Sequence, residues 1–196
     1  MTIDDYLADG ARLVEEARAA GLAAPVAEAI DRITNALAAR KALLICGNGG
    51  SAADAMHIAG ELVGRFRRER PGLKAIALGT DAAVTTAWSN DYAYDDLFAR
   101  QVEALGEAGG VVWGISTSGN SENVLRALAK GREMGMTGVA LTGAGGGRVG
   151  EAADILIAVP STDTARIQEL HTFIYHHICE RVEESLDTGN DNIQEN

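Results

Sequence analysis

Two turns rich in glycine and hydroxyl residues, Cys46-Gly-Asn-Gly-Gly-Ser51 and Gly114-Ile-Ser-Thr-Ser-Gly-Asn-Ser121, each follow a short apolar run and lead into a helical pattern. Glycines let a backbone approach a phosphate closely, free N–H groups at the following helix start point at it, and serine and threonine hydroxyls add donors. Two such turns grip one ligand at two points, and the chemistry suits a phosphorylated, hydroxyl-rich small molecule. Beyond the first turn, His57 and Glu61 are four residues apart and share a helical face. Such a pair can move a proton or hold a metal. An isolated H-x-x-x-E is more often an ordinary partly exposed polar pair, because a metal needs more than two ligands. Its position one to three turns into the helix that starts at the ligand loop sets it beside the bound molecule. Near the carboxyl end, Gln168, Thr172 and His176 form a stripe of four-residue spacing, with His171 and His177 directed elsewhere. Gln168 and His176 lie about 12 Å apart along a helix axis. Their tips therefore meet one atom by leaning together over Thr172, or else serve a site shared between subunits.

Other matches compete with this reading. Gly47-Asn-Gly49-Gly-Ser-Ala52 fits the dinucleotide fingerprint G-x-G-x-x-G/A, with Asp81 as a ribose partner, which would make a nicotinamide enzyme. Asp81, however, lies about 34 residues past Gly47 where about 20 is usual, and the second serine-rich turn would have no task. Gly145-Gly-Gly147-Arg-Val-Gly150 also matches formally and reads as a flexible turn. There is no Walker-type phosphate loop and no G-x-S-x-G elbow, so nucleotide hydrolysis and serine-hydrolase chemistry lack their usual support. Arg65, Arg67, Arg68 and Arg70 read as a solvated helix end favoured by the helix dipole, with Arg65 the exception to watch for phosphate attraction.

The elements that must position these residues alternate. Helical spacing covers Thr2 to Ala20, opened by a capping signal at Thr2 and Asp5, and Pro25 to Arg40. Strand-like runs follow at Ala42 to Cys46, Lys74 to Leu78, Val111 to Ile115, Gly138 to Leu141 and Ile155 to Val159, separated by helical stretches. Ser51 with Asp54 reads as a capping box for the helix that carries His57. Thr164 to Leu186 reads as one long closing helix with an apolar stripe through Ile167, Leu170, Ile174, Ile178 and Val182. The pattern predicts an α/β fold: a five-stranded, mainly parallel sheet sandwiched by helices. The chain of 196 residues reads as one domain: helices over 1–40, an α/β core with the closing helix over 41–186, and a polar, frayed tail over 187–196. A net charge of −11 argues against nucleic acid partners. An acidic amino terminus and the lack of any long apolar run argue against secretion and membrane insertion. The two cysteines, Cys46 and Cys179, have no metal or redox spacing and fit reduced thiols in the cytoplasm.

Taken together, Cys46-Gly-Asn-Gly-Gly-Ser51 with Asp54-Ala-Met-His57 and Glu61-Leu62, Gly114-Ile-Ser-Thr-Ser-Gly-Asn-Ser121, and Arg166-Ile-Gln168-Glu-Leu-His171 running on to His176 resemble the phosphoheptose isomerases. That family has the sugar isomerase (SIS) fold, and the resemblance covers nearly the whole chain. It implies conversion of sedoheptulose 7-phosphate to D-glycero-D-manno-heptose 7-phosphate in heptose biosynthesis, by a homotetramer with one zinc per subunit. It further implies that Ser116, Thr117, Ser118 and Ser121 hold the phosphate. Asn48, Gly49, Gly50, Asn90 and Asp91 would contact the substrate along with Glu61 and Gln168, and His57, Glu61, Gln168 and His176 would ligate the metal. Under this resemblance a proton moves between C1 and C2 through an enediol, with Glu61 as base and His176 as the acid serving the oxygens. A related SIS protein that binds a replication initiator has lost the catalytic histidine. His176 is present here, which places an enzyme first, a non-catalytic sugar-phosphate sensor or adaptor second, and a nicotinamide-dependent oxidoreductase third. The departures from the family pattern, the Gly143 to Gly150 turn and the tail after Leu186, bear on local loop geometry. Amphipathic terminal helices add the expectation of a homo-oligomer with sites near subunit boundaries.

Overall fold

The structure, a computed structural model, describes residues 1–186. Five strands, β1 (Leu43–Gly47), β2 (Ala75–Ala77), β3 (Val111–Ser116), β4 (Thr137–Thr142) and β5 (Ile155–Ala158), form one sheet in the order β2-β1-β3-β4-β5. Every pairing is parallel, so the expected mainly parallel sheet is parallel throughout. The helices are α1 (Ile3–Ala19), α2 (Ala23–Ala38), α3 (Gly50–Val63), α4 (Ala82–Asp91), α5 (Leu97–Leu105), α6 (Glu122–Glu133), α7 (Gly147–Ala152) and α8 (Thr164–Leu186), with a short 3-10 turn at Tyr94–Asp96. Strand boundaries move by at most one residue from the sequence reading, and α8 has the expected bounds. The tail expected to fray over 187–196 lies outside the described residues.

Continuous apolar strands make sense once both sheet faces are covered. Leu43 and Ile45 of β1 and Trp113 and Ile115 of β3 pack with Val26, Ile33, Ile58, Tyr175 and Ile178 of α2, α3 and α8. The alternate residues Leu44, Cys46 and Val112 turn to the opposite core with Leu97, Phe98, Val124 and Leu128 of α5 and α6. Gly114 has no side chain because a Cβ there would stand 2.6 Å from Val124. Both cysteines are buried and free, their thiols pushed up to about 12 by burial, so neither is a nucleophile at neutral pH.

α1 begins as expected: the Asp5 N–H donates to the Thr2 hydroxyl at 3.1 Å and the Thr2 N–H donates to the Asp5 carboxylate at 2.8 Å. Only Ala17 of this helix is buried. It is held to α8 by Tyr6, whose hydroxyl donates to Glu169 at 2.6 Å and whose ring lies 3.5 Å beneath the Arg166 guanidinium. Among the described residues, no helix is long and apolar enough to cross a membrane.

Candidate active site

The strand order reverses between β1 and β3, which are adjacent over Leu43↔Val111 to Gly47↔Ile115. Open α/β sheets bind ligands in the crevice at the carboxyl ends of strands flanking such a reversal. Both motif loops leave the sheet there.

The first loop turns tightly. A Cβ on Gly47 would stand 2.7 Å from the Ser51 carbonyl oxygen, and Gly49 has φ +57°, a conformation that favours glycine. Gly49 is the residue before α3 and makes no side-chain cap, and Ser51 is buried. The expected Ser51–Asp54 capping box therefore does not form, because the helix already begins at Gly50 and Ser51 lies inside it. Asn48 is held from two sides. Its Nδ2 donates to Asn123 Oδ1 at 2.9 Å, and its Oδ1 accepts from Asn123 Nδ2 at 2.9 Å and from the Tyr94 hydroxyl at 2.7 Å.

The second loop runs from the end of β3 into α6. Ser116 is buried, and its Oγ lies 2.9 Å from that of Ser121, the residue preceding α6. The Ser118 Oγ accepts the Asn120 N–H at 3.2 Å, and the Thr117 carbonyl accepts the Gly143 N–H at 3.1 Å. The glycine-rich stretch around Gly145 is a brace and not a flexible turn. The Gly119 carbonyl accepts the Val149 N–H at 2.8 Å, and a Cβ on Gly119 would stand 2.2 Å from the Gly146 carbonyl oxygen. Backbone meets backbone there, which only glycine allows. Glu122, in the first turn of α6, is paired with Arg126 and Arg148, both at 2.9 Å. Those guanidiniums hold its carboxyl below the usual range and offset its charge beside the loop.

His57, Glu61 and His176 converge across the α3–α8 contact, with one potential ligand atom from each lying within 4.8 Å of the others. His57 Nε2 is 3.0 Å from Glu61 Oε1, and the His57 and His176 rings meet edge-on with centroids 5.0 Å apart. Phe66 covers His176 from outside at 5.6 Å between ring centroids. Burial and then the neighbouring His57 lower the His176 pKa, with Glu61 opposing, so the ring favours its neutral, lone-pair-bearing form. Two imidazoles and a carboxylate are a donor set suited to zinc with a further position open to substrate. Gln168, two turns earlier on α8, lies against the first loop: a Cβ on Gly50 would stand 2.2 Å from its Nε2.

Other expected residues fall differently. Asn90 and Asp91 end α4, are exposed, and bond to each other at 2.9 Å. Asp81 caps α4 by accepting the N–H groups of Ala83 and Val84, which gives it a structural task in place of a ribose. Arg65 pairs with Glu69 at 2.8 Å on the surface, while Arg67, Arg68 and Arg70 face Glu180, Glu184 and Glu183 of α8. Arg67, Arg68 and Arg70 thus tie down a loop, while Arg65 stays on the surface beside Glu69. His171 is fully buried and donates from Nε2 to the Thr142 carbonyl at 3.2 Å. Sequence reasoning missed Tyr94, Asn123 and Tyr175, and read Asp54 only as a helix cap. Asn123, two residues past Ser121 in the same serine-rich stretch, carried a usable signal of type and position. The two tyrosines carried none.

The architecture and the loops define a class: residues 5–143 match the family model described as SIS domain. The phosphoheptose isomerase of Trichlorobacter lovleyi is 52% identical over 167 residues, 85% of either chain. That of Geobacter sulfurreducens is 50% identical over 186 residues, covering 94% of this chain and 98% of its own. The solved phosphoheptose isomerase from Neisseria gonorrhoeae superposes with a TM-score of 0.87 at 41% identity, covering 93% of this chain and 97% of that one. The chain belongs to the phosphoheptose isomerase family.

Proposed function

We propose that the protein is an aldose–ketose isomerase that converts sedoheptulose 7-phosphate to D-glycero-D-manno-heptose 7-phosphate. The observation that carries this reading is the convergence of His57 and Glu61, on the helix that springs from the first ligand loop, with His176 of α8. Ser116, Thr117, Ser118 and Ser121, with the N–H groups opening α6, hold the phosphate. Asn48, Gly49 and Gly50 receive the sugar hydroxyls, with Asn90, Asp91 and Gln168 completing the contacts. The Glu61 carboxylate takes a proton from C1 of the ketose and returns it to C2. His176 serves O1 and O2, moving a proton between them as the enediol forms and collapses. Each positioned acid or base of this kind is worth about 10²- to 10⁴-fold.

His57, Glu61 and His176, joined by Gln168, would hold one zinc per subunit. Zinc so held supplies polarisation of the substrate carbonyl and charge stabilisation of the enediolate. The reading extends to a cytoplasmic, single-domain subunit of a homotetramer, supported by the exposed apolar side chains Ile3, Leu7 and Val14 of α1 and Phe173 of α8. Such residues call for a covering partner.

The test is NMR of sedoheptulose 7-phosphate with the protein in deuterium oxide. The expected outcome is an aldoheptose phosphate carrying deuterium at C2. Glu61→Gln is expected to fold normally and lose at least 100-fold in turnover, at the lower bound of about 10² for one positioned base. Shifted substrate signals without any product from zinc-loaded protein would mark a sensor instead.

A further inference from the structure

Tyr175 and His176 are consecutive on α8, so their side chains leave the helix about 100° apart. His176 reaches the proposed metal set, while Tyr175 turns into the contact between α8 and α3 and is 2% exposed. There its hydroxyl lies 3.0 Å from His57 Nδ1, and its ring meets the His57 ring edge-on at 5.4 Å between centroids. The far nitrogen of that imidazole, Nε2, faces Glu61 at 3.0 Å. The His57 side chain is 45% exposed. Such a ring on an open helix face rotates and exchanges tautomers unless a buried partner fixes it. Asp54, one turn before His57 on α3, completes the surroundings. Its Oδ2 is buried without a hydrogen-bond partner, and the Tyr175 hydroxyl is among the groups acting on its carboxyl.

We propose that Tyr175 is a positioning residue for the metal set, its hydroxyl, backed by Asp54, fixing the His57 ring with Nε2 toward Glu61 and His176. The proposal rests on the metal reading above. A phenol hydroxyl both donates and accepts, and this duality is what the site uses. Without metal, His57 carries its proton on Nε2, donates it to Glu61, and accepts the Tyr175 O–H at Nδ1. With Nε2 given to a metal, the proton sits on Nδ1 and donates to the Tyr175 oxygen, and the Tyr175 O–H turns to the waiting Oδ2 of Asp54. The ring changes tautomer without turning and without a change in its charge. Partners behind a metal-binding histidine commonly set its tautomer and affinity in this way.

Tyr175→Phe keeps the buried ring and removes only the hydroxyl. Zinc affinity, read by competition with a chromophoric chelator, is expected to fall about 10- to 100-fold. Ring ¹⁵N NMR of metal-free protein is expected to show His57 as the Nε2–H tautomer in the wild type and as a mixture in Tyr175→Phe. A purely structural role for Tyr175 would not move that ratio. Asp54→Asn should weaken zinc binding less, and should add nothing in the Tyr175→Phe background. Wild-type zinc affinity and wild-type tautomer in Tyr175→Phe would overturn the proposal, as would a further loss from Asp54→Asn in that background. A wild type that binds no zinc, yet holds its tautomer only while Tyr175 is present, would remove the metal reading and leave the positioning role standing.

Discussion

Glu183 sits near the polar end of α8 yet is 1% exposed, and replacing it with glutamine is expected to cost about 3–5 kcal/mol, the range for removing one partner of a buried ion pair. Its Oε1 accepts the Phe66 N–H at 2.8 Å, and its Oε2 accepts those of Arg67 at 2.7 Å and Arg68 at 3.0 Å. The Arg70 guanidinium pairs with it at 3.2 Å and donates onward to the carbonyls of Glu61, Leu62, Gly64 and Pro71. Glutamine keeps the shape but turns one oxygen into a donor facing N–H groups, and it leaves the Arg70 charge buried and uncompensated. The assay is urea unfolding of metal-free protein at pH 7 and fixed protomer concentration, beside Arg70→Met and the double variant. The double variant should cost less than the sum of the singles, because no buried charge is left unpaired. Burial pushes the Glu183 carboxyl up, but the N–H groups of Arg67, Phe66 and Arg68, helped by Arg70, outweigh it and leave its pKa below the ordinary 4.5. Its contribution is therefore present above pH 4.5 and is lost as the pH falls through the lower folded value, so the gap between wild type and variant should close in acid. A loss below about 1 kcal/mol at pH 7, the level of an exposed pair, would refute the reasoning.

Two further expectations concern α8 and its neighbours. Burial pushes the His171 imidazole down to about 4 from 6.5, so the unfolded chain binds its proton first and stability is lost as the pH falls from 6.5 toward 4. The shift corresponds to about 3 kcal/mol; urea unfolding between pH 7 and 4.5 should show a steeper acid slope for wild type than for His171→Gln, and equal slopes would contradict it. Gly50→Ala places a methyl 2.2 Å from Gln168 Nε2 and 2.8 Å from its Cδ. The flexible amide must move while the helix gains propensity, so unfolding stability should hold or rise and turnover should fall by about tenfold or more, given how steeply rate depends on placement; full turnover would separate Gln168 from the site.

What the sequence made legible was local. Alternating apolar runs gave the strand count, and the unbroken stripe from Ile167 to Val182 gave α8 its bounds, because periodicity is a property of neighbours along the chain. The glycine and serine loops were readable because they concentrate rare backbone freedom and donors in few residues. The Ser51 capping box failed where a different local rule won: Gly49 at φ +57° starts the helix by backbone alone. The arginine run was ambiguous because its partners, Glu180, Glu183 and Glu184, lie more than a hundred residues away. No local pattern distinguishes a solvated charge from one that will be buried against a distant carboxylate.

The unread contacts have one property in common, and it bears on how the site works. Asn123 holds Asn48, Gly146 abuts Gly119, Tyr175 meets His57, and Glu183 fixes the loop that carries Phe66 against His176. Each joins a ligand-facing group on one strand–loop–helix unit to a second unit. A loop or helix face alone can present donors, but their spacing to one another is set only by such cross-links, and catalysis is sensitive to that spacing. Exposed polar positions on α3 or α6 outside the proposed metal set can therefore change at little cost to the chemistry. Buried and half-buried polar positions on the inner face of α8 cannot, because α8 reaches the first loop through Gln168, the proposed metal set through Tyr175 and His176, and the covering loop through Glu183.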